Sequence, residues 1–260
     1  MSKERVAALT DQTAAALAAA RGSLGAAAAT TDDVRQVLRR SEGDLAELVG
    51  QGTKVSYAEE PRPYLRNAQQ LADDADRRMR DGQRGLAEVG GNLEQANRAL
   101  NAGRQFVAEL ETLPEREVAQ TEQLKQRLEV LGSAVRNAGE VVQDINGQLG
   151  AARAKVEPAV YVSSNLDDPV RTASTITQAG RGADNDVMSV QRRLAGLSEN
   201  LDHAQPQAAQ AAHLGADLAN TARVAANPTK AADQAKPGSA SDQEPHRKST
   251  EPAHSALRDL

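Results

Sequence analysis

The residues with the means to do chemistry are four histidines, one short acidic run, one dense block of charge and three tyrosines. The histidines are His203, His213, His246 and His254. A helical zinc site needs imidazoles four residues apart, or imidazoles combined with thiolates. No two of these are four apart, and the 260-residue chain has no cysteine. His203 and His213 are therefore expected to be ordinary surface residues. Asp184-Asn185-Asp186 offers hard oxygen ligands but lacks the glycine and the distant glutamate of a calcium loop. There is no Walker-type phosphate loop and no GxSxG elbow. No catalytic residue, metal or cofactor is expected, and the chain is read as non-enzymatic.

The charge block is Asp73, Asp74, Asp76, Arg77, Arg78, Arg80, Asp81 and Arg84. Asp73–Arg77, Asp74–Arg78 and Asp76–Arg80 are each four apart with the acid first, the favoured helical order. The spacing predicts a solvated helix face rather than a phosphate site, each pair contributing roughly 0.3–0.5 kcal/mol. The tyrosines are Tyr57, Tyr64 and Tyr161, with Val160 and Val162 beside the last. Aromatics exposed in loops serve as contact anchors, so these five residues are the candidate partner-binding set. The alternative is that they plug the end of a core.

The elements that position them follow from the heptad rows. Leu65, Ala72, Met79, Leu86, Leu93, Leu100 and Val107 alternate with Ala68, Ala75, Gly82, Val89, Ala96, Gly103 and Leu110 at steps of three and four. With 39% hydrophobic residues overall, chance would fill about five or six of these fourteen places. Twelve are apolar and two are glycine. A stripe of period 3.5 belongs on a long helix packed along its length on other helices.

Three further helices carry such rows. The first, about 3–49, shows Leu17, Leu24, Thr31, Leu38 and Leu45 against Thr13, Ala20, Ala27, Val34, Ser41 and Leu48. The rows keep phase past Gly22 and Gly25, so one helix with a weak spot near 22–31 is expected. The second, about 64–113, should start only after Pro61 and Pro63. Thr112 and Glu115 match a capping box, and so short a link makes the second and third helices antiparallel neighbours. The third, about 115–157, should end before Pro158. The fourth, about 169–226, starts with Asp168 as N-cap and Pro169 at the first helical position, and Pro206 should kink or split it. Lys54–Tyr57 and Ala159–Val162 alternate like extended chain and are expected to pair as a small ribbon over the bundle end. Tyr57 and Tyr161 lie 104 residues apart. That shift also carries Ala72, Met79, Leu86 and Leu93 onto seam positions of the fourth helix, by duplication or by shared period.

The fold class is thus all-α: an elongated antiparallel bundle of four long heptad-patterned helices over 1–226, as two tandem hairpins, with a disordered tail over 227–260. The tail's four prolines and its five basic and five acidic residues carry no periodic pattern. In this topology both long loops, and with them all three tyrosines, fall at one end.

Composition narrows the function class. A net charge of −5 argues against duplex nucleic acid as a partner. Aromatics at 2% suit thin alanine and leucine seams rather than a thick globular core. The narrow seam, mixed charge and missing Trp make a membrane surface a poor partner, though amphipathic lipid binding stands as one alternative. No signal peptide or spanning segment is evident, and a cytoplasmic location is the default. The alanine content and the preference for Arg over Lys fit a high-GC bacterial genome. The leading reading is a coiled-coil-like scaffold or protein-interaction module, with protein partners or self-association through its helices. In outline the tandem hairpins resemble the exported helical-hairpin substrates of type VII secretion, which would imply a secreted protein without a signal peptide. That family's WxG turn is absent. Pro61, Ala68 and Asn165 stand where its YxxxD/E signal would place an acid after each tyrosine.

Overall fold

A computed structural model describes residues 2–51, 61–110, 115–161 and 169–226. The chain divides into a compact unit, Met1–Ala222, and a second, Arg223–Leu260, of which only 223–226, the end of the last helix, is described. The elements are α1 Ser2–Gln51, α2 Pro61–Ala108, α3 Glu115–Tyr161 and α4 Pro169–Ala226. The described residues contain no strand.

All fourteen residues of the two α2 rows are buried. So are the described members of both α1 rows, the α3 rows Leu124–Ala152 and Leu128–Val156, and nearly all described members of the α4 rows Ala173–Ala222 and Ile176–Ala225, read every seventh residue. Gly180 is the half-buried exception. Leu48, Ala222 and Ala225 have side chains outside the described set. Two polar members of the α1 rows bond to their own helix. The Thr13 hydroxyl donates to Leu9 O at 2.8 Å, and that of Thr31 to Ala28 O at 2.7 Å.

Side-chain bonds between helices fix the order of neighbours. Arg78 of α2 reaches Asp33 of α1, and Arg153 of α3 reaches Asp76 of α2. Lys155 of α3 reaches Asp186 of α4, and Arg35 of α1 reaches Asp184 of α4. Each sequential pair is antiparallel, and α4 returns to α1, so the four helices close into a ring around one core. The two hairpins are halves of a single bundle.

Several boundaries differ from the sequence reading. α1 is continuous through 22–31, as expected. α2 begins at Pro61, not Tyr64. The first-turn N–H groups of a helix have no intrahelical acceptor, so Pro61 and Pro63 cost nothing there. α2 stops at Ala108 rather than 113. Its end tightens through Leu110 N donating to Val107 O at 3.2 Å, while the Leu110 side chain stays buried. The link to α3 therefore spans 109–114. Its predicted cap, Thr112, lies outside the described residues.

α3 runs through Pro158 to Tyr161. The proposed Ala159–Val162 strand is thus helical as far as Tyr161. Pro158 removes one N–H bond near a helix end. Burial of Ala159, and the Gln69 side-chain amide donating to Val160 O at 2.8 Å, hold the last turn. α4 is one helix through Pro206 and is not split. The ring of Pro206 lies on the exposed side, where water can solvate the carbonyl that loses its amide partner.

The 104-residue shift is not a structural repeat. It moves Asp33 and Arg78, which pair across α1 and α2, onto Asn137 and Gly182. Gly182 instead packs against Lys155, 18 residues along α3, which is five helical turns. The shared period is heptad arithmetic.

Candidate functional site

Of the candidate contact residues, Tyr64, Val160 and Tyr161 belong to the end of the bundle where the C-terminal ends of α1 and α3 meet the N-terminal ends of α2 and α4. Pairs of Asp44 with Asn67, of Glu42 with Arg181 and of Gln69 with the Val160 carbonyl place those four ends together. Val160 is half-buried, packs on the core, and has its carbonyl held by Gln69. Tyr64 and Tyr161 belong to the first turn of α2 and the last turn of α3. Their side chains, and Tyr57, Val162 and the Lys54–Tyr57 segment, lie outside the described residues.

The charge block does more than solvate a face. Asp74–Arg78 at 3.0 Å and Asp76–Arg80 at 2.6 Å form as the spacing predicts. Arg77 reaches the Asp73 backbone carbonyl at 3.4 Å, and its nearest carboxylate is Asp74 at 3.9 Å. Two members also leave the helix. Arg78 donates to Asp33 of α1 at 2.8 Å, and Asp76, 13% exposed, accepts from Arg153 of α3 at 2.8 Å. The hydrogen bond to Asp74, with Coulombic support from Asp74 and Asp33, outweighs slight burial and raises the Arg78 guanidinium above its ordinary value.

These interhelical latches are the polar residues that sequence reasoning missed. On α2 those that face α3, Gln69, Asp76, Gln83 and Arg104, lie on one row read every seventh residue beside the seam, with Gly90 and Asn97 between Gln83 and Arg104. Gln83 accepts from Arg153 at 3.0 Å. Arg104 Nη2 donates to Leu128 O at 2.8 Å and Glu129 O at 3.1 Å on α3. On α1, Arg35 donates to Asp184 at 2.9 Å and to Gln191 at 2.8 Å. Arg21 holds Asp202 at 2.6 Å and Gln205 at 3.1 Å, while Arg127 holds Gln207 at 2.8 Å. Pro206 is therefore gripped from α1 and α3 at once. Lys3 pairs with buried Glu117, joining the N-terminal ends of α1 and α3. The signal was available: polar residues recurring at the positions flanking an apolar seam meet the neighbouring helix.

Chemically, the arrangement joins helices. The Asp184–Asp186 pair, set aside as a calcium loop, ties α4 to both neighbours through Arg35 and Lys155. His203 is exposed on α4 at the rim of a groove of about 360 Å³ shared with α3, next to Val130, Ala134 and Asn137. Among the described residues no group of three or more His, Cys, Asp or Glu could hold a metal ion, and no helix is long and apolar enough to cross a membrane. The fold and its latches define an all-α, four-helix antiparallel bundle. No protein-family model, curated protein or solved structure matches the chain.

Proposed function

We propose that this protein is a non-enzymatic scaffold or protein-interaction module, whose mechanism is geometric. One observation carries the reading. The charged side chains nearest the core, Asp76, Arg153, Arg35, Asp184, Lys3 and Glu117, are committed to one another across helix boundaries. A carboxylate already taken by a guanidinium of the next helix is poorly placed for acid–base work, because moving a proton to or from it breaks the latch. What such a frame offers is a set of surfaces held in fixed relation along helices of 47 to 58 residues. The end bearing Tyr57, Tyr64, Tyr161, Val160 and Val162 is the contact surface in this reading.

The test replaces Tyr57 and Tyr161 with Ala in the full chain and follows both partner capture by crosslinking and thermal melting. Loss of a captured protein with unchanged melting supports a contact surface. Lower melting with capture intact reassigns the tyrosines to the core and rejects the surface.

A further inference from the structure

We propose that the outer face of α1 pairs with the same face of a second copy of this chain, antiparallel, about a two-fold axis between Gly25 and Ala26. This rests on the scaffold reading and names the partner as the chain itself.

The middle of that face is the row Ala8, Ala15, Gly22, Ala29, Gln36 and Gly43, exposed throughout and uncharged throughout. The two rows beside it are exposed as well, and between Gln12 and Asp32 they hold only alanine and glycine. Gly22, Gly25 and Gly43 have no atom of the protein near the position a Cβ would take on their outer side. Nothing on this face keeps a second helix away, and small side chains let helix axes approach to about 8 Å.

Charge chooses the occupant and the register. Arg21, Arg35 and Glu42 are tied to α4, and Asp33 to α2. Asp11, Arg39 and Arg40 are exposed and have no ion-pair partner among the described residues. In an antiparallel two-fold pair each heptad row faces the same row of the other copy. Centred at 25–26, Gly22 meets Ala29 and Ala15 meets Gln36. Asp11 then meets Arg39, and Gln12 meets Arg40, at both ends of the contact. Asp32 and Asp33 fall opposite Ala18 and Ala19, so no like charges oppose. A parallel pair would set Asp32, Asp33, Arg39 and Arg40 against their own copies. A slip of one heptad toward the N-termini would set Asp11 against Asp32. The face runs from Ala8 to Gly43, about 54 Å of helix, and pairs Asp11 with Arg39 at both ends in one register only.

The chain contains no cysteine, so a single introduced thiol reports its own neighbour. In the full-length protein, Gly25→Cys lies on the axis and should form a disulfide-linked dimer when a copper–phenanthroline oxidant takes up the two electrons. Ala18→Cys, on the same row but facing Asp32, should not. Sedimentation of the unaltered chain should show a dimer. Arg39→Glu should weaken that dimer by about tenfold or more, and adding Asp11→Arg should restore it. Circular dichroism confirms that each variant keeps its helices. A chain that sediments as a monomer up to the highest soluble concentration overturns the proposal. So does equal crosslinking of Ala18→Cys and Gly25→Cys, or an Arg39→Glu defect that Asp11→Arg fails to repair. None of these outcomes touches the scaffold reading, which stands or falls on capture of a different protein at the tyrosine end.

Discussion

Arg153 of α3 donates from Nε to Oδ1 of Asp76 on α2 at 2.8 Å, and Asp76 keeps its other oxygen for Arg80 of its own helix at 2.6 Å. One carboxylate thus neutralises a surface guanidinium and fixes the α2–α3 register. Its partial burial sets it apart from pairs such as Asp81–Arg84, where Arg84 is 79% exposed. A double-mutant cycle with Asp76→Ala and Arg153→Ala should return a coupling of about 1 kcal/mol in urea unfolding. The same cycle on Asp81 and Arg84 should return under about 0.5 kcal/mol. Equal couplings would show that the interhelical latch adds nothing.

Glycines on this bundle divide by what faces them. A Cβ on Gly215 of α4 would lie 2.7 Å from Thr10 Oγ1 and 3.2 Å from the Ala7 backbone of α1. The backbone cannot yield as a flexible side chain would, so Gly215→Ala should destabilise by about 1–3 kcal/mol. Gly91→Ala and Gly139→Ala, where a Cβ meets open space, should each stabilise by about 0.5–1 kcal/mol, since a helix interior favours Ala. Thermal melts of the three variants decide the matter by sign.

Gly132 behaves differently again. A Cβ there would strike Nη2 of the Arg104 guanidinium, at the end of a long flexible side chain. Gly132→Ala should displace that side chain and break its bonds to Leu128 O and Glu129 O, cancelling most of the helix-propensity gain. In an Arg104→Ala background the same change should stabilise by about 1 kcal/mol. Additive effects in the four-variant set would show that Arg104 contributes nothing to the α2–α3 contact.

Pro206 sits on the outside of an unbroken α4, between residues held by Arg21 and Arg127. Pro206→Ala would restore an amide donor and relieve the clash of the ring with the preceding turn. It should stabilise by about 1–3 kcal/mol. A lower midpoint in denaturant would instead mean that the proline is needed to bring Asp202 and Gln207 to their partners.

The residue rows show how much was legible. Leu65 to Leu110 announced a buried seam, and every member is buried, because helix periodicity depends only on residues three and four apart. The charge block was half legible for the same reason. Its four-residue pairs are local, but the reach of Asp76 to Arg153 spans 77 residues. Pro61 and Pro158 misled because proline's cost depends on how near a helix end it falls, and their neighbours do not reveal that end. At the candidate site, the sequence supplied the residue types and the end of the bundle, while the structure added that Val160 is partly packed into the core.

By itself the sequence determined four helices, their seams and their up-and-down order, since these follow from local spacing and short connections. Only the tertiary structure decided that α4 closes on α1, that α3 and α4 meet five turns away from the repeat-derived register, and which flanking charges become latches. Those choices are non-local. The same heptad seam fits its neighbour equally well at every seventh residue, and the register is selected by which guanidinium finds which carboxylate and which glycine admits the next backbone.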